Sequence, residues 1–562
     1  MQKVWNVKKY DEEYINQICK KYNISRLLAK LLVSRDIELN NIDMFLNGTI
    51  DDLSDPFEIK DMDKFVQRVD LAIKNHEKVA IFGDYDVDGI TSITVLYKFL
   101  SELGLEVLYY LPDRLVDGYG LNKDAITNMH QNGVTLAITV DCGITAIDEV
   151  EYAKSLGIDI CITDHHECGE IMPNAYCIVD AKRKDDTSKF KLYAGVGIAF
   201  KCISALAVKH NLQRESYLKY LDIVALGTIS DIVSLTDENR VISKYGIELM
   251  KNTQNEGLKA LLKSVGNTNI DSIMVAYILA PRINACGRMG NATVAVKLFL
   301  EEDPYKAFKY AKKLEEYNIQ RQKIEKGIFD QVIEKIESSD IKNKSSIVLW
   351  NKQWHSGVIG IVASRLVNIY SKPVILFSQE NGVLKGSGRC QAGFNLYDAL
   401  TKCKKNIIQF GGHELAAGLT ISTEKIEDFK NDFESIVSGI TDKNIIQTVD
   451  IDDEITKNDL NAQTLKDILI MKPYGQGNKV PLFLYKNLKV QAIRTIKDNK
   501  HLKFVLSDDN SLIEAIAFSK GNRRDELNLG DKIDVLCQID LNIYTKPRKV
   551  QLIVQDFKKC VD

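Results

Sequence analysis

The chain has 562 residues, too many for one hydrophobic core, so several domains are expected. Hydrophobic residues make up 45% and charged residues 27%, an ordinary globular composition. The net charge of −3 excludes a globally basic, histone-like binder but leaves room for a local basic groove.

The opening "MQKVWNVKKYDEEY" lacks the apolar core of a signal peptide. No apolar run approaches the roughly 20 residues of a membrane helix. Eleven cysteines without CxxC pairs read as reduced thiols of a cytosolic, cytoplasmic protein, neither disulfides nor zinc ligands.

Residues 1–50 read as a polar helical lead-in. From Lys78 to Asp231 short β-rich runs ("VAIFG", "EVLYYL", "TLAITV", "IDICIT", "AYCIVD") alternate with helical stretches such as "ITSITVLYKFLSELG". That alternation predicts an α/β domain with a parallel sheet covered on both faces, assigned to residues 51–300. Residues 304–338 carry a long helical pattern broken only by Gly327 after the opening Pro304, which predicts a linking helix over 301–340. A second α/β lobe is expected over 341–445, beginning with "SSIVLW". After the turn-rich "KPYGQGNKVP", five β-rich runs predict a C-terminal β-barrel of the OB type within 446–562, an architecture that often binds oligonucleotides.

The chemistry concentrates at strand ends. "DYDVDG" puts Asp84, Asp86 and Asp88 just after the first strand; "VDCG" puts Asp141 after the third; "TDHHE" puts Asp164, His165 and His166 after the fourth. Ligands bind at the carboxyl edge of an open parallel sheet, so motifs far apart in sequence should meet there. "LGTISDIV" delivers a further carboxylate, Asp231. A single aspartate after a strand is usually a cap or turn former. Strand ends loaded together point instead to a metal site. Carboxylates with one or two imidazoles suit Mn²⁺ or Mg²⁺. A pair of such ions, with Asp141 between them, would serve in-line displacement at phosphorus, and phosphoester hydrolysis is the expected reaction.

Three further stretches could meet phosphate. "HSGVIGIVASRL" opens a helix at His355, "LKGSGRC" carries Ser387 and Arg389 between glycines, and "GGHELAAG" holds His413 on a turn. Each could equally be structural.

With "DYDVDG", "VDCG", "DHH" and "GTISD" in this order, the chain resembles the DHH phosphoesterase superfamily. With "APRINACGRMG", "HSGVIGIVASRL", "GSGR" and "GGHELAAG" added, it resembles the RecJ exonucleases from about residue 50 onward. The resemblance implies a DHH domain and a DHH-associated domain that faces it across a cleft. It implies single-strand-specific 5′-to-3′ DNA exonuclease activity in repair and recombination, using two divalent ions. It implies Asp84, Asp86, Asp88, Asp141, His165 and Asp231 as metal ligands, Asp141 bridging, with direct ligation by Asp84 or Asp86 left open. It further implies His166 as a contact to the scissile phosphate or to an ion, Asp164 as an orienting group, and Arg282, Asn284, Arg288, His355, Ser387, Arg389 and His413 as substrate contacts. Partners so implied are single-stranded DNA, a helicase and single-strand-binding protein, for a chain read as a monomer away from membranes. Ala280 stands where the family commonly has glycine. Two alternatives stay open: a DHH phosphodiesterase of short oligonucleotides or cyclic dinucleotides, and a non-catalytic single-strand binder. No GxxxxGK[ST] pattern supports P-loop chemistry.

Overall fold

A computed structural model describes residues 4–112, 120–266, 269–441, 448–508, 511–542 and 549–560. The chain divides into two compact units. One comprises Asp55–Asp231 and Gly246–Ile445; the other comprises Met1–Ser54, Ile232–Tyr245 and Ile446–Asp562.

The larger unit is built on a five-stranded parallel sheet. Its order is Glu106–Tyr110, Lys78–Gly83, Val134–Val140, Asp159–Thr163, Cys177–Val179. The strands are nearly continuous apolar runs because both faces are covered. One face packs on the helices Lys123–Gln131 and Ile147–Ser155. The other packs on Val87–Glu102 and Gly195–Lys209, with Leu221–Ser230 against these two helices. From the strand Lys78–Gly83 the chain steps outward to one edge, then returns to lay Val134–Val140 on the opposite side. The connections diverge between these two strands, and their carboxyl ends open a crevice there.

The helix Pro304–Glu337 runs 34 residues, about 50 Å at 1.5 Å per residue. Asp303 caps it, accepting from the backbone N–H of Tyr305 at 2.8 Å and Lys306 at 3.1 Å. Its far end packs with the helix Ser356–Tyr370 against a second, mixed five-stranded sheet. That sheet runs Gln409–Gly412, Ala416–Ser422, Val383–Arg389, Val374–Glu380, Ile347–Asn351. Helices Leu396–Lys402 and Ile426–Thr441 cover its other face.

In the smaller unit five strands close a barrel: Phe483–Ile496, His501–Asp508, Ser511–Ala517, Lys549–Lys559 and Lys532–Asn542. The first strand pairs on both sides, with Lys532–Asn542 through its first half and His501–Asp508 through its second. Register shifts at Tyr485/Leu488 and Val490/Ala492 bend it enough to do so. This strand begins at Phe483, ahead of the "LKVQAIRTI" run. Lys486 and the left-handed Asn487 (φ +58°) interrupt its apolar pattern and hide its first half.

Residues near the amino terminus complete the same core. The helices Glu12–Tyr22 and Arg26–Val33 bury Ile15, Ile18, Leu28 and Leu31 together with Phe504, Val535 and Phe557 of the barrel. Arg240 ties this core through the backbone, donating to the carbonyls of Phe45 (2.6 Å), Met471 (2.9 Å) and Ile470 (3.0 Å). Its guanidinium also lies 3.8 Å from the centre of the Phe45 ring. Burial pulls its pKa down to about 10, so the group stays charged at neutral pH. Among the described residues no helix is long and apolar enough to cross a membrane.

Removing Arg240 strands the Phe45 and Ile470 carbonyls, while Met471 keeps the Nδ2 of Asn478 at 2.6 Å. Each unsatisfied group costs on the order of 1–3 kcal/mol, so Arg240→Ala should destabilise this unit by roughly 2 kcal/mol or more. Urea unfolding followed by the fluorescence of Trp5 would report it, and an unchanged midpoint would refute the assignment.

Candidate metal centre

The sheet delivers its polar side chains to the crevice at its carboxyl edge. Asp84 leaves the strand Lys78–Gly83 and is buried. Asp86 caps the helix Val87–Glu102: its Oδ1 accepts from the N–H of Asp88 (2.9 Å) and Gly89 (3.2 Å). A cap and a ligand are therefore compatible roles for one carboxylate, since the remaining lone pairs stay available.

Asp88 is only 1% exposed, and both its oxygens are gripped by the first turn of the helix Gly195–Lys209. Gly195 N–H donates to Oδ2 at 2.6 Å and Val196 N–H to Oδ1 at 2.8 Å. That turn supplies two orphan donors and the positive end of a helix dipole. Asp141 sits in the left-handed region (φ +57°), held by its N–H to the Thr163 carbonyl at 3.1 Å. Aspartate tolerates that conformation better than most residues, and strain of this kind concentrates at functional sites. Gly195 also meets Asp141 closely: a Cβ there would stand 2.7 Å from the Asp141 Cβ.

His165 reaches three of these acids. Its Nε2 lies 3.1 Å from Asp141, 3.7 Å from Asp88 and 3.8 Å from Asp231. Asp164 turns away to orient its neighbours. It accepts from the N–H of Ile144, His165 and His166 and binds His166 Nδ1 at 2.8 Å.

Three overlapping sets result, each with one donor atom per residue and all donors within 4.8 Å of one another. They are Asp84, Asp86, Asp141; then Asp88, His165, Asp231; then Asp141, His165, His166. Asp141 and His165 each belong to two sets.

The electrostatics ask for cations. Burial, then the charge of Asp86, pushes Asp88 up to about 7. Burial, then Asp88 and Asp86, pushes Asp231 up to about 9. Asp141 rises well above the carboxylate range through burial and the charges of Asp88, Asp86, Asp84 and Asp231. Carboxylates that resist ionisation when crowded become good ligands once positive charge enters. Oxygen donors joined by one or two imidazoles fit Mn²⁺ or Mg²⁺, and no thiolate intrudes among the three sets.

The expected phosphate contacts fall into two groups. Arg288, His355, Ser387 and Arg389 are linked through the first turns of the Ser356–Tyr370 helix. Arg288 Nη1 donates to the Gly357 carbonyl at 3.2 Å. His355 caps the helix through Nδ1, accepting from Gly357 N–H at 3.2 Å. Arg389 Nη1 donates to Ser387 Oγ (3.0 Å) and the Gly388 carbonyl (2.7 Å). The others stand apart. Arg282 pairs with Glu315 of the long helix and donates to the Ile278 carbonyl at 2.7 Å, engagements that hold helices together. Asn284 is half-buried on the same helix, Ala280–Arg288. His413 is exposed and closes a hairpin through its N–H to the Ala416 carbonyl at 2.8 Å.

Two participants escaped the sequence reading. The cradle for Asp88 comes from "YAGVGIAF", where Gly195 and Gly197 open an apolar helix; paired glycines at a helix start were the available signal. Asp180, at the end of "AYCIVD", loads a fourth strand end. It is fully buried, raised to about 7 by that burial, and accepts from Lys182 N–H at 2.8 Å.

Comparison with known proteins agrees with this fold. The DHH family N-terminal domain matches residues 78–228, the DHHA1 domain 343–439 and the RecJ OB domain 451–556. The single-stranded-DNA-specific exonuclease RecJ of Bacillus subtilis (strain 168) is 35% identical over 98% of this chain and 70% of its own length. That of Haemophilus influenzae is 32% identical over 92% and 94%. The crystal structure of RecJ in complex with Mn²⁺ from Thermus thermophilus superposes with a TM-score of 0.87 at 26% identity, covering 100% of this chain and 80% of that one. The corresponding Mg²⁺ complex gives 0.81 at 25% identity, covering 100% and 79%.

The raised carboxylates make a signed prediction. Protonation stabilises the metal-stripped fold, and that stability is lost as pH climbs through about 7 for Asp88 and about 9 for Asp231. Protein treated with EDTA should melt several degrees lower at pH 9 than at pH 5.5 in a thermal scan. Saturating Mn²⁺ should remove most of that slope. A stripped protein whose melting point rises over this interval would contradict the electrostatic reading.

Proposed function

The chain belongs to the RecJ family of single-stranded-DNA-specific exonucleases, and on that premise we propose that it hydrolyses single-stranded DNA from the 5′ end with two Mn²⁺ or Mg²⁺ ions. The observation that carries this reading is the overlap of the three donor sets through Asp141 and His165. The shared residues would hold two cations, Asp141 serving as a ligand to both.

Asp84, Asp86 and Asp141 would hold one ion, and Asp88, His165 and Asp231, together with the shared Asp141, the other. Two such ions supply charge neutralisation at phosphorus and a lowered pKa for water. The remaining work belongs to the chain. Burial and the charge of His166 push His165 down to about 3, so it is neutral and would offer Nε2 to a cation in place of its contact with Asp141. His166 is half-exposed, and although burial opposes its charge, the bond to Asp164 raises it to about 9. It is therefore a cation at working pH, suited to a non-bridging oxygen of the scissile phosphate. Arg389 and Ser387, with Arg288 and His355 beside them, would hold the strand's phosphates, and Arg282, Asn284 and His413 would contribute secondary contacts. The OB barrel would add a grip on single strands by stacking and charge, without regard to sequence. Family membership is the ground for reading the protein as a monomeric repair and recombination enzyme that works with a helicase and single-strand-binding protein.

Digestion of 5′- and 3′-labelled single and double strands with Mn²⁺, Mg²⁺ or EDTA tests activity, polarity and strand preference together. The expected outcome is mononucleotide release from the 5′ end of single strands only, abolished by EDTA. Faster cleavage of dinucleotides than of long strands would favour the short-substrate alternative. Asp141→Ala should lower kcat by about a thousandfold or more, because both ions lose a ligand. Arg389→Ala should raise KM for single strands and flatten the salt dependence of binding, leaving Mn²⁺ affinity intact. Wild-type affinity at low salt would remove Arg389 from the substrate path.

A further inference from the structure

Three glycines mark an unbroken line of close contacts from the metal loop to Arg389. Tyr85 lies between Asp84 and Asp86, and its carbonyl oxygen would stand 2.8 Å from a Cβ added at Gly287. The next residue, Arg288, turns to the second lobe. Its carbonyl oxygen would stand 2.5 Å from a Cβ at Gly357, and its Nη1 donates to the Gly357 carbonyl. One turn farther along the Ser356–Tyr370 helix, a Cβ at Gly360 would stand 2.8 Å from Ser387 Oγ and 3.0 Å from Arg389 Nη2.

The first two contacts are with backbone, which cannot step aside. The third is with side chains, which can. Glycine therefore lets the end of the Ala280–Arg288 helix wedge between the loop that bears the acids and the helix that backs Arg389. Gly327, in the middle of the long helix, has no atom within 4 Å of the position a Cβ would take.

We propose that this Gly287–Arg288–Gly357 junction is a rigid spacer. It sets the distance between the metal cluster and the Ser387–Arg389 phosphate grip, and so fixes which phosphodiester of a held strand reaches the cluster. Gly287, Arg288 and Gly357 act as positioning residues, and Arg288 works through its link to Gly357. The inference rests on the exonuclease reading above and extends it.

The glycines give separable outcomes. Gly357→Ala presses on the Arg288 carbonyl, with the His355 ring 3.2 Å from the new Cβ, and pushes the two lobes apart while leaving the acids and the Ser387–Arg389 grip untouched. A displacement near 1 Å costs about a hundredfold in rate, so kcat on a 5′-phosphorylated single strand should fall by that order. KM should stay within about threefold and the Mn²⁺ titration should match wild type, because the grip and the metal site are each intact. Gly360→Ala displaces Arg389 itself and should raise KM instead. Arg288→Lys keeps the charge, loses the reach to Gly357, and should follow Gly357→Ala more mildly. Gly327→Ala should change neither parameter.

Wild-type kcat in Gly357→Ala, or a loss of Mn²⁺ affinity equal to its loss of rate, would overturn the proposal. Hydrogen exchange judges the junction without substrate. Amides of Val358 and Ile359, bonded to the His355 carbonyl at 3.0 and 3.2 Å, should exchange faster in Gly357→Ala, together with those of Gly287 to Met289. Unchanged exchange there would also overturn it. A wild type that cuts no single strand would defeat the exonuclease reading alone, and exchange would still decide the spacer.

Discussion

Everything at the crevice follows from one constraint: buried carboxylates repel one another and must be held in place against that repulsion. The fold answers with backbone N–H groups. Asp86 is fixed by its own helix, Asp88 by the first turn of a second helix, and Asp164 by the amides of three residues including both histidines. These donors restrain the geometry without neutralising the charge, because each amide carries only a partial positive end. Burial, and then the residual field, raises Asp88, Asp141 and Asp231, and divalent cations would relieve both.

Restraint of this kind demands close packing, and close packing explains the glycines. Gly89 approaches the Asp84 backbone, Gly195 approaches Asp141, and Gly227 approaches Thr91, each nearer than a Cβ would permit. The helix turn that leads into Asp231 is therefore as constrained as the ligand itself. The same device recurs at Gly287 and Gly357, where two lobes rather than two loops must approach.

The acidic motifs were legible because chemistry and topology coincide there. An apolar run ending in aspartate is visible in one dimension, and the parallel sheet brings such ends together for geometric reasons alone. The Asp88 cradle was not legible, since Gly195 and Val196 act through their main chain and carry no side-chain signature. The same holds for the spacing role of Gly287, which shows only once the Tyr85 carbonyl stands opposite it. Arg282 illustrates the converse: its pairing with Glu315, 33 residues on, is written in no motif and shows only in the fold. The shared core of residues 4–54 with the barrel was hidden by sequence distance, because amphipathic helices announce an apolar stripe without naming what covers it.

The histidine pair shows how adjacent identical residues acquire opposite roles. His165 and His166 stand with ring centroids 4.4 Å apart, too close for both to be charged at low cost. One carboxylate decides between them. Asp164 bonds Nδ1 of His166 and gives His165 only a backbone contact, so the proton resides on the more exposed ring. His166 then suppresses protonation of His165 further, which lies buried among the acids with an unprotonated nitrogen to offer. Burial and a single hydrogen bond separate a neutral ring from a charged one along one dipeptide. Asp164 thus shapes the site without entering any of the three donor sets, as strongly as the residues that do.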